Sequence, residues 1–366
     1  MWFSKNNSGV SLNTKRQPKS VITTLDYAQQ LKSIDSNGVQ LSMTELVNYQ
    51  RKTFLIDLTA KKNIQGQMSG NYLARSKGSG MEFDEVRHYQ TGDDIRAIDW
   101  RVTARTGKTH TKLFREEVER PVLIATDISS NMHFGSQLLF KSVQASHLAS
   151  LVAWHAKARG DRLGGIVFND QLHVELKPRS RKEGVLHYLH TLKRVHNEKQ
   201  EKIDTVVSTL SQESSSDESA TPKSPDKQIT SKASNNYLEE NCARLRQLAK
   251  PGSLVYLITD GMHIEENNTL RHLSHISRHC ELIVCLISDP LEQNLPESKV
   301  KINVTITDGN DNQQLTLGDK TTAQNYHQQA ISLLQKRYEL LVQSGARVIQ
   351  INAAETLASQ LKSGEA

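Results

Sequence analysis

The segment Asp127-Ile128-Ser129-Ser130-Asn131 follows directly on the apolar run Val122-Leu123-Ile124-Ala125-Thr126. A carboxylate with two further oxygen-bearing side chains at i, i+2 and i+4 can turn three oxygens into one pocket, and a hard cation such as Mg²⁺ or Mn²⁺ accepts a few protein oxygens completed by waters. A second carboxylate, Asp260, closes the apolar run Leu254–Thr259 and is followed by Gly261. In open parallel sheets ligands bind at the carboxyl ends of the strands, which makes Asp127, Ser129, Asn131 and Asp260 the candidate cation ligands. The plainer role for Asp127 and Ser129 is to cap the helix that follows, as Asp and Ser commonly do.

A second group of charged side chains lies upstream. Arg87, Arg96, Arg101 and Arg105 stand among Glu82, Glu85, Asp93, Asp94, Asp99 and Glu117, in a stretch with few apolar residues of its own. Guanidinium forks hold carboxylates bidentately, so this density reads as an ion-pair scaffold fixing a glycine-rich segment against its neighbour. The alternative is a docking face, with Tyr89 and Trp100 as aromatic anchors among arginines, the residue types that dominate binding hot spots. A nuclease-like metal centre built from Glu82, Asp93, Asp94, Asp99 and Glu117 is the enzymatic alternative, but no nucleophile and base pair accompanies them. Other patterns are weaker. Gly160-Asp161-Arg162-Leu163-Gly164-Gly165 lacks the Gly-Lys-Ser/Thr ending of a phosphate loop, and His187 with His190 would need further ligands to hold a metal.

The elements that must position these residues are legible from about residue 120 onward. Short β-branched runs alternate with longer helical ones, the mark of a doubly wound α/β fold with a mostly parallel sheet. Strands are expected at Val122–Thr126, Leu163–Phe168, Leu172–Glu175, Leu254–Thr259, Glu281–Ser288 and Ala346–Ile351. Helices are expected near Ser136–Arg159, Lys182–His196, Tyr237–Ala249, Thr269–Arg278, Ala323–Ser344 and Ala354–Lys362. A hairpin pairing Lys301–Thr307 with Gln314–Leu317 around Asp308-Gly309-Asn310 interrupts the series. The central helix carries small residues such as Ser142, Ala145, Ser146, Ala149 and Ala153 at helical spacing, which permits close packing on a sheet.

The rest divides by composition. Residues 1–23 read as a flexible tail, and 24–119 as an N-terminal segment. That segment joins a helical pair, Leu25–Ile34 and Thr44–Leu58 with Thr24 and Ser42 as caps, to the glycine- and charge-rich stretch. Residues 120–366 form the α/β domain. Within it, about 198–236 reads as a disordered insertion, because Gln212-Glu213-Ser214-Ser215-Ser216-Asp217-Glu218-Ser219 and then Pro222 and Pro225 bury no apolar surface.

Asp127-x-Ser129-x-Asn131, with Thr259-Asp260-Gly261 far downstream, resembles the metal-ion-dependent adhesion site of von Willebrand factor A domains, and the element order from about 120 to 366 is similar to theirs. Asn131 stands where that motif has Ser, and Ser180 is the candidate for its separate threonine ligand. The run Gly78-Ser79-Gly80-Met81-Glu82-Phe83-Asp84-Glu85-Val86-Arg87-His88-Tyr89 is followed by Gly92-Asp93-Asp94-Ile95-Arg96-Ala97-Ile98-Asp99-Trp100-Arg101-Val102-Thr103-Ala104-Arg105 and by Phe114-x-x-Glu117. Together they are similar to the signature of the bacterial "domain of unknown function 58" family. That resemblance implies a fusion to a von Willebrand A-like domain, occurrence beside MoxR-type AAA+ ATPases, and an accessory role in the maturation or assembly of other proteins. It implies no reaction.

Composition sets bounds. The chain has 366 residues, of which 36% are hydrophobic and 5% aromatic, and its 46 basic residues exceed 40 acidic ones by only six charges. So small an excess over this length does not by itself specify nucleic acid, which stays a lesser alternative as partner. No apolar run approaches the roughly 20 residues of a bilayer crossing, and Met1-Trp2-Phe3-Ser4-Lys5 does not open a secretory leader, so a cytoplasmic location is expected. Cys242, Cys280 and Cys285 have no zinc or disulfide spacing. The expectation is therefore a non-enzymatic, Mg²⁺- or Mn²⁺-dependent protein-binding module. Its partner would be a MoxR-type ATPase or a client protein.

Overall fold

The protein is described by a computed structural model covering residues 24–56, 81–116, 120–213, 236–296, 298, 300–307 and 312–362. The expected tail over 1–23, the end of the expected insertion over 214–235, Glu117 and the turn at Asp308-Gly309-Asn310 lie outside the described residues.

Six strands form one sheet: β3 Pro121–Asp127, β4 Arg162–Phe168, β5 His173–Arg179, β6 Leu254–Thr259, β7 Glu281–Ser288 and β10 Arg347–Asn352. Their order across the sheet is β10-β7-β6-β3-β4-β5. All pairs are parallel except β4 with β5, which the short loop Asn169–Leu172 turns back into an antiparallel edge. From β3 the chain first builds outward through β4 and β5, then returns to the other side of β3 with β6. The switch point of this doubly wound sheet thus falls between β3 and β6, where a crevice opens at the strand ends. Both strands are buried along nearly their whole length, as expected for runs this rich in Val, Leu and Ile with helices on both faces.

One face is covered by α4 Lys141–Ala158, α5 Arg181–Glu213 and α10 Leu357–Lys362, the other by α6 Tyr237–Leu248, α7 Asn267–His279 and α9 Lys320–Gln343. Helix α4 is enclosed over almost every position, and its Ser and Ala residues are what allow so close an approach. A short helix, α8 Pro290–Gln293, follows β7, and β8 Ile302–Thr307 pairs antiparallel with β9 Asn312–Leu317 as expected of the hairpin.

One expectation needs correction. Helix α5 runs on to Glu213, well into the stretch read as a disordered insertion. Residues 198–213 hold Ile203, Val206, Val207 and Leu210 at i, i+3, i+4 and i+7 among good helix formers, a helical pattern that the neighbouring serine run obscured. The helical pair packs into the core of the α/β domain. Helix α1 Thr24–Ser33, α2 Met43–Asn48 and the 3-10 turn Tyr49–Leu55 bring Ile34, Leu41, Leu46 and Tyr49 into the same core as α4 and the strands. Ser42 caps α2 through a reciprocal pair with Glu45. The Leu46 carbonyl accepts from Ser150 Oγ at 2.6 Å and Trp154 Nε1 at 3.1 Å, and the enclosed Glu45 carboxylate faces His147 Nε2 at 3.4 Å. The two hydrogen bonds to the Leu46 carbonyl fasten α2 to α4 by more than apolar contact.

The signature region forms a separate small unit. Strand β1 Met81–His88 pairs antiparallel with β2 His110–Glu116, bridged by a 3-10 turn at Ile95–Ala97 and by α3 Trp100–Thr106.

Candidate functional site

The carboxyl ends of β3 and β6 carry Asp127 and Thr259-Asp260 side by side. Asp127 is fully buried and Asp260 is 6% exposed. One Asp127 oxygen, Oδ1, accepts the Ser129 backbone N–H at 2.9 Å, and the other, Oδ2, accepts the Thr259 hydroxyl at 2.8 Å. The chain leaves β6 through Gly261, whose φ of +78° lies in the left-handed region that a side chain would strain. That turn lets the Met262 N–H donate to Asp260 Oδ1 at 3.0 Å. Burial, and after it the charge of Asp260, push Asp127 up to about 7, against the opposing hydrogen bonds from Thr259 and Ser129. The hydroxyls of Ser129 and Tyr237 are enclosed beside it and make no hydrogen bond of good geometry.

Asp260 is the better compensated of the two. Its Oδ2 accepts Lys141 Nζ at 3.0 Å, and the same ammonium donates to Glu292 Oε1 at 2.6 Å. Both the Lys141 and the Asp260 side chains are only 3% exposed. Burial alone would lower the Lys141 pKa, but the Asp260 and Glu292 carboxylates outweigh it and the net shift is upward. Glu292 in turn caps α8 together with Asp289, which also takes the Ser136 N–H at 2.8 Å and the Ser136 hydroxyl at 2.5 Å. The ends of three neighbouring strands, β3, β6 and β7, therefore each present an Asp to this edge, with Lys141 as the buried cation among them.

The other proposed ligands fall differently. Asn131 is exposed on the short turn Ser130–Met132. Ser180 lies at the opposite edge of the sheet, because antiparallel β5 carries the chain away from the Asp127 level: Phe168 pairs with both Asp127 and His173, whereas Arg179 pairs with Leu163. At about 3.3 Å per residue that is a separation on the order of 20 Å, and Ser180 is not a ligand of this pocket. The capping role for Asp127 and Ser129 is also corrected. Helix α4 begins only at Lys141 with Phe140 at its N-cap, so a thirteen-residue loop separates it from the strand. Among the described residues no group of three or more His, Cys, Asp or Glu side chains converges as a metal cluster. A cation here would lean on two carboxylates, a hydroxyl and waters.

Lys141, Tyr237, Asp289 and Glu292 were not singled out in the sequence. The pattern Asp289-Pro290-Leu291-Glu292 after an apolar strand is a helix-start signal that marks Asp289 and Glu292. Nothing in the sequence distinguishes Lys141 from any other first-turn lysine.

The signature residues form a self-contained group. Arg87 pairs with Asp93 at 2.7 Å, and the Tyr89 hydroxyl donates to the Asp93 carbonyl at 3.4 Å. The Gln90 N–H and then Arg87 hold Asp93 below the usual carboxylate range. Asp99 caps α3 through the Arg101 and Val102 N–H groups and lies 3.7 Å from Lys112. Arg96, Arg101 and Arg105 are exposed and have no carboxylate partner among the described residues, while Arg87 with Asp93 supplies one pair of the expected scaffold. The hydrogen bonds and ion pairs of residues 86–112 all stay within the unit, among the described residues. Trp100 is 67% exposed and Ile95 65%, both on this outer surface.

The family model described as "Protein of unknown function DUF58" matches residues 85–334, more than half of the chain. The uncharacterized proteins Rv1480 of Mycobacterium tuberculosis and Mb1516 of Mycobacterium bovis are each 33% identical over 114 residues, which is 31% of this chain and 36% of theirs. The match thus spans about a third of the length of those relatives. Among solved structures, the conserved hypothetical protein BatB from Bacteroides thetaiotaomicron aligns with a TM-score of 0.36 at 13% identity, over 67% of this chain and 95% of that one. An aerotolerance-related membrane protein from Bacteroides fragilis, crystallised with multiple mutations to serines, aligns with a TM-score of 0.33 at 14% identity, over 67% of this chain and 96% of that one. The fold stands on its own sheet topology rather than on these superpositions. No helix among the described residues is long and apolar enough to cross a membrane.

Proposed function

The chain belongs to the DUF58 family of proteins of unknown function, and on that premise we propose that it is a protein-binding module whose docking site is the carboxyl edge of the sheet around Asp127. In this reading Asp127, Ser129 and Asp260 hold Mg²⁺ or Mn²⁺ together with waters, with Asn131 at the rim, in the manner of von Willebrand factor A domains. One coordination position is left for a carboxylate from the partner. A cation with an unfilled position attracts an acidic side chain strongly once an interface excludes water, so binding is metal-dependent.

The observation that carries the reading is the meeting of Asp127 with Thr259-Asp260 at the switch point, beside the enclosed Ser129 hydroxyl. A carboxylate buried with only neutral donors, and raised by its neighbour's charge, gains from a divalent ion. Phe134, Leu172 and Met262, from three loops at this edge, are 38%, 40% and 37% exposed and supply an apolar rim of the kind found around docking sites. The family resemblance extends the proposal to a cytoplasmic bacterial setting in which the partner is a MoxR-type AAA+ ATPase or its client. Affinity purification in Mg²⁺ and in chelator tests it. A partner recovered only with metal, and lost with Asp127→Ala, supports the reading. A folded Asp127→Ala protein that holds its partner equally well in chelator overturns it, and capture of DNA or RNA favours the basic-surface alternative instead.

A further inference from the structure

We infer that Lys141 is the resident counter-ion of this pocket, a tethered ammonium that occupies Asp260 in competition with a divalent cation and so sets how tightly the site takes metal. The inference rests on the divalent-cation reading above and assigns its control to one side chain of the protein itself.

Four observations lead there. Lys141 Nζ sits 3.0 Å from Asp260 Oδ2 and 2.6 Å from Glu292 Oε1, with 3% of its side chain exposed. Buried ammonium groups persist only when paired, and these two carboxylates are its ion pairs, with the Phe134 ring 6.0 Å away completing its surroundings. Second, Lys141 is the first residue of α4, where the positive end of the helix dipole disfavours a cation. Helix energetics therefore do not explain its presence, whereas the carboxylates do. Third, both oxygens of Asp260 are already engaged, Oδ1 by the Met262 N–H and Oδ2 by Lys141. A divalent ion drawing on Asp260 must share or displace that second bond. Fourth, the compensation stops at Asp260. The donors to Asp127 are neutral, the Ser129 N–H and the Thr259 hydroxyl. One half of the pair is satisfied from within while the other is left to attract a cation, and an ion entering beside Asp127 meets a positive charge a side chain away.

The consequence is a site of graded affinity. With Lys141 seated the pocket is closer to neutral and takes metal weakly, and removing the ammonium frees Asp260 Oδ2 and raises the negative charge facing the ion.

The test is Mn²⁺ binding to the full chain, followed by electron paramagnetic resonance of the free ion, in the wild type, Lys141→Gln, Lys141→Arg and the double variant Lys141→Gln/Asp127→Asn. Lys141→Gln is expected to tighten Mn²⁺ by about tenfold or more, equivalent to about 1.4 kcal/mol. Lys141→Arg keeps the charge and stays close to wild type, and Asp127→Asn cancels the gain. Lys141→Gln leaves Asp260 and Glu292 without their ammonium, so thermal melting is measured beside it. A Tm rise on adding Mn²⁺ that is larger in Lys141→Gln than in the wild type supports the assignment. An equal or smaller rise, or Mn²⁺ affinity that does not increase, overturns it. If Asp127→Asn still removes binding in that case, the divalent site survives and only the role of Lys141 falls. Absence of Mn²⁺ binding from wild type and Lys141→Gln alike ends both.

Discussion

The Thr259 hydroxyl donates to Asp127 Oδ2 at 2.8 Å and so ties the ends of two adjacent strands whose residues lie 132 positions apart in the chain. That bond joins the two strand ends that flank the switch point. It solvates a carboxylate that burial would otherwise leave poorly supported. Thr259→Val keeps the shape and removes the donor, and is expected to cost about 1–3 kcal/mol in urea unfolding. Thr259→Ser should restore most of it. A Thr259→Val protein as stable as the wild type would show that the bond is of no consequence to the fold.

The raised Asp127 carboxyl carries a sign. Its folded pKa of about 7 lies above the ordinary aspartate value of 3.8, so in the intervening range the native state binds a proton that the unfolded state has released. Stability is therefore favoured on the acid side of this window and falls as pH rises from about 4 to about 7, once other titrations are subtracted. In Asp127→Asn, measured in chelator, this component of the slope should vanish. Identical slopes in variant and wild type would refute the assignment.

Metal affinity should run the opposite way, because a cation binds the ionised carboxylate. Between pH 6 and pH 8 the ionised fraction of a group titrating near 7 grows roughly tenfold, and the Mn²⁺ association constant should grow by about the same factor. Calorimetric titration in buffers of differing ionisation enthalpy measures both the constant and the proton released. A pH-independent constant would place the ion elsewhere.

Trp100 stands out from the signature unit with 67% of its surface exposed. Trp100→Ala is expected to leave stability within about 0.5 kcal/mol, as exposed substitutions do. If this face docks a partner, the same variant weakens capture at least tenfold, the scale of an aromatic hot spot. Unchanged capture would leave the tryptophan without a binding role. Arg87→Ala is the contrasting case, since it removes the 2.7 Å pair that folds the Asp93 turn and should loosen the unit itself.

Leu46 is fully buried between the helical pair and α4. Leu46→Ala should destabilise by about 2–5 kcal/mol, the range for large-to-small changes in a packed core. Trp154→Phe, which loses the indole bond to the Leu46 carbonyl and leaves a cavity where the larger ring sat, should cost more than the roughly 1 kcal/mol of the hydrogen bond alone. A near-neutral Leu46→Ala would mean that the helical pair is peripheral after all.

What could be read beforehand follows a physical rule. Asp127 and Asp260 were legible because each ends an apolar run that can only be a buried parallel strand, and strand ends of such sheets gather at one edge. Ser180 misled because one antiparallel strand reverses which end of the chain reaches that edge, and pairing direction leaves no mark on so short a segment. Lys141 was silent for a related reason. Its burial comes from Asp260 and Glu292, which lie 119 and 151 residues further along, and no local pattern announces a pairing across that distance. The extension of α5 through residue 213 was present as an apolar period but lost to the polar average of its surroundings.

The attachment of Leu46 to Ser150 and Trp154 also bears on how the molecule comes into being. During synthesis residues 24–56 emerge well before α4, which receives them, exists. Contacts so remote in sequence form slowly, because the loop between them must close before any reward is gained. The first helices of the described chain must therefore wait for α4 before they can dock, and a fragment cut at residue 120 to isolate the sheet would leave Trp154 facing water.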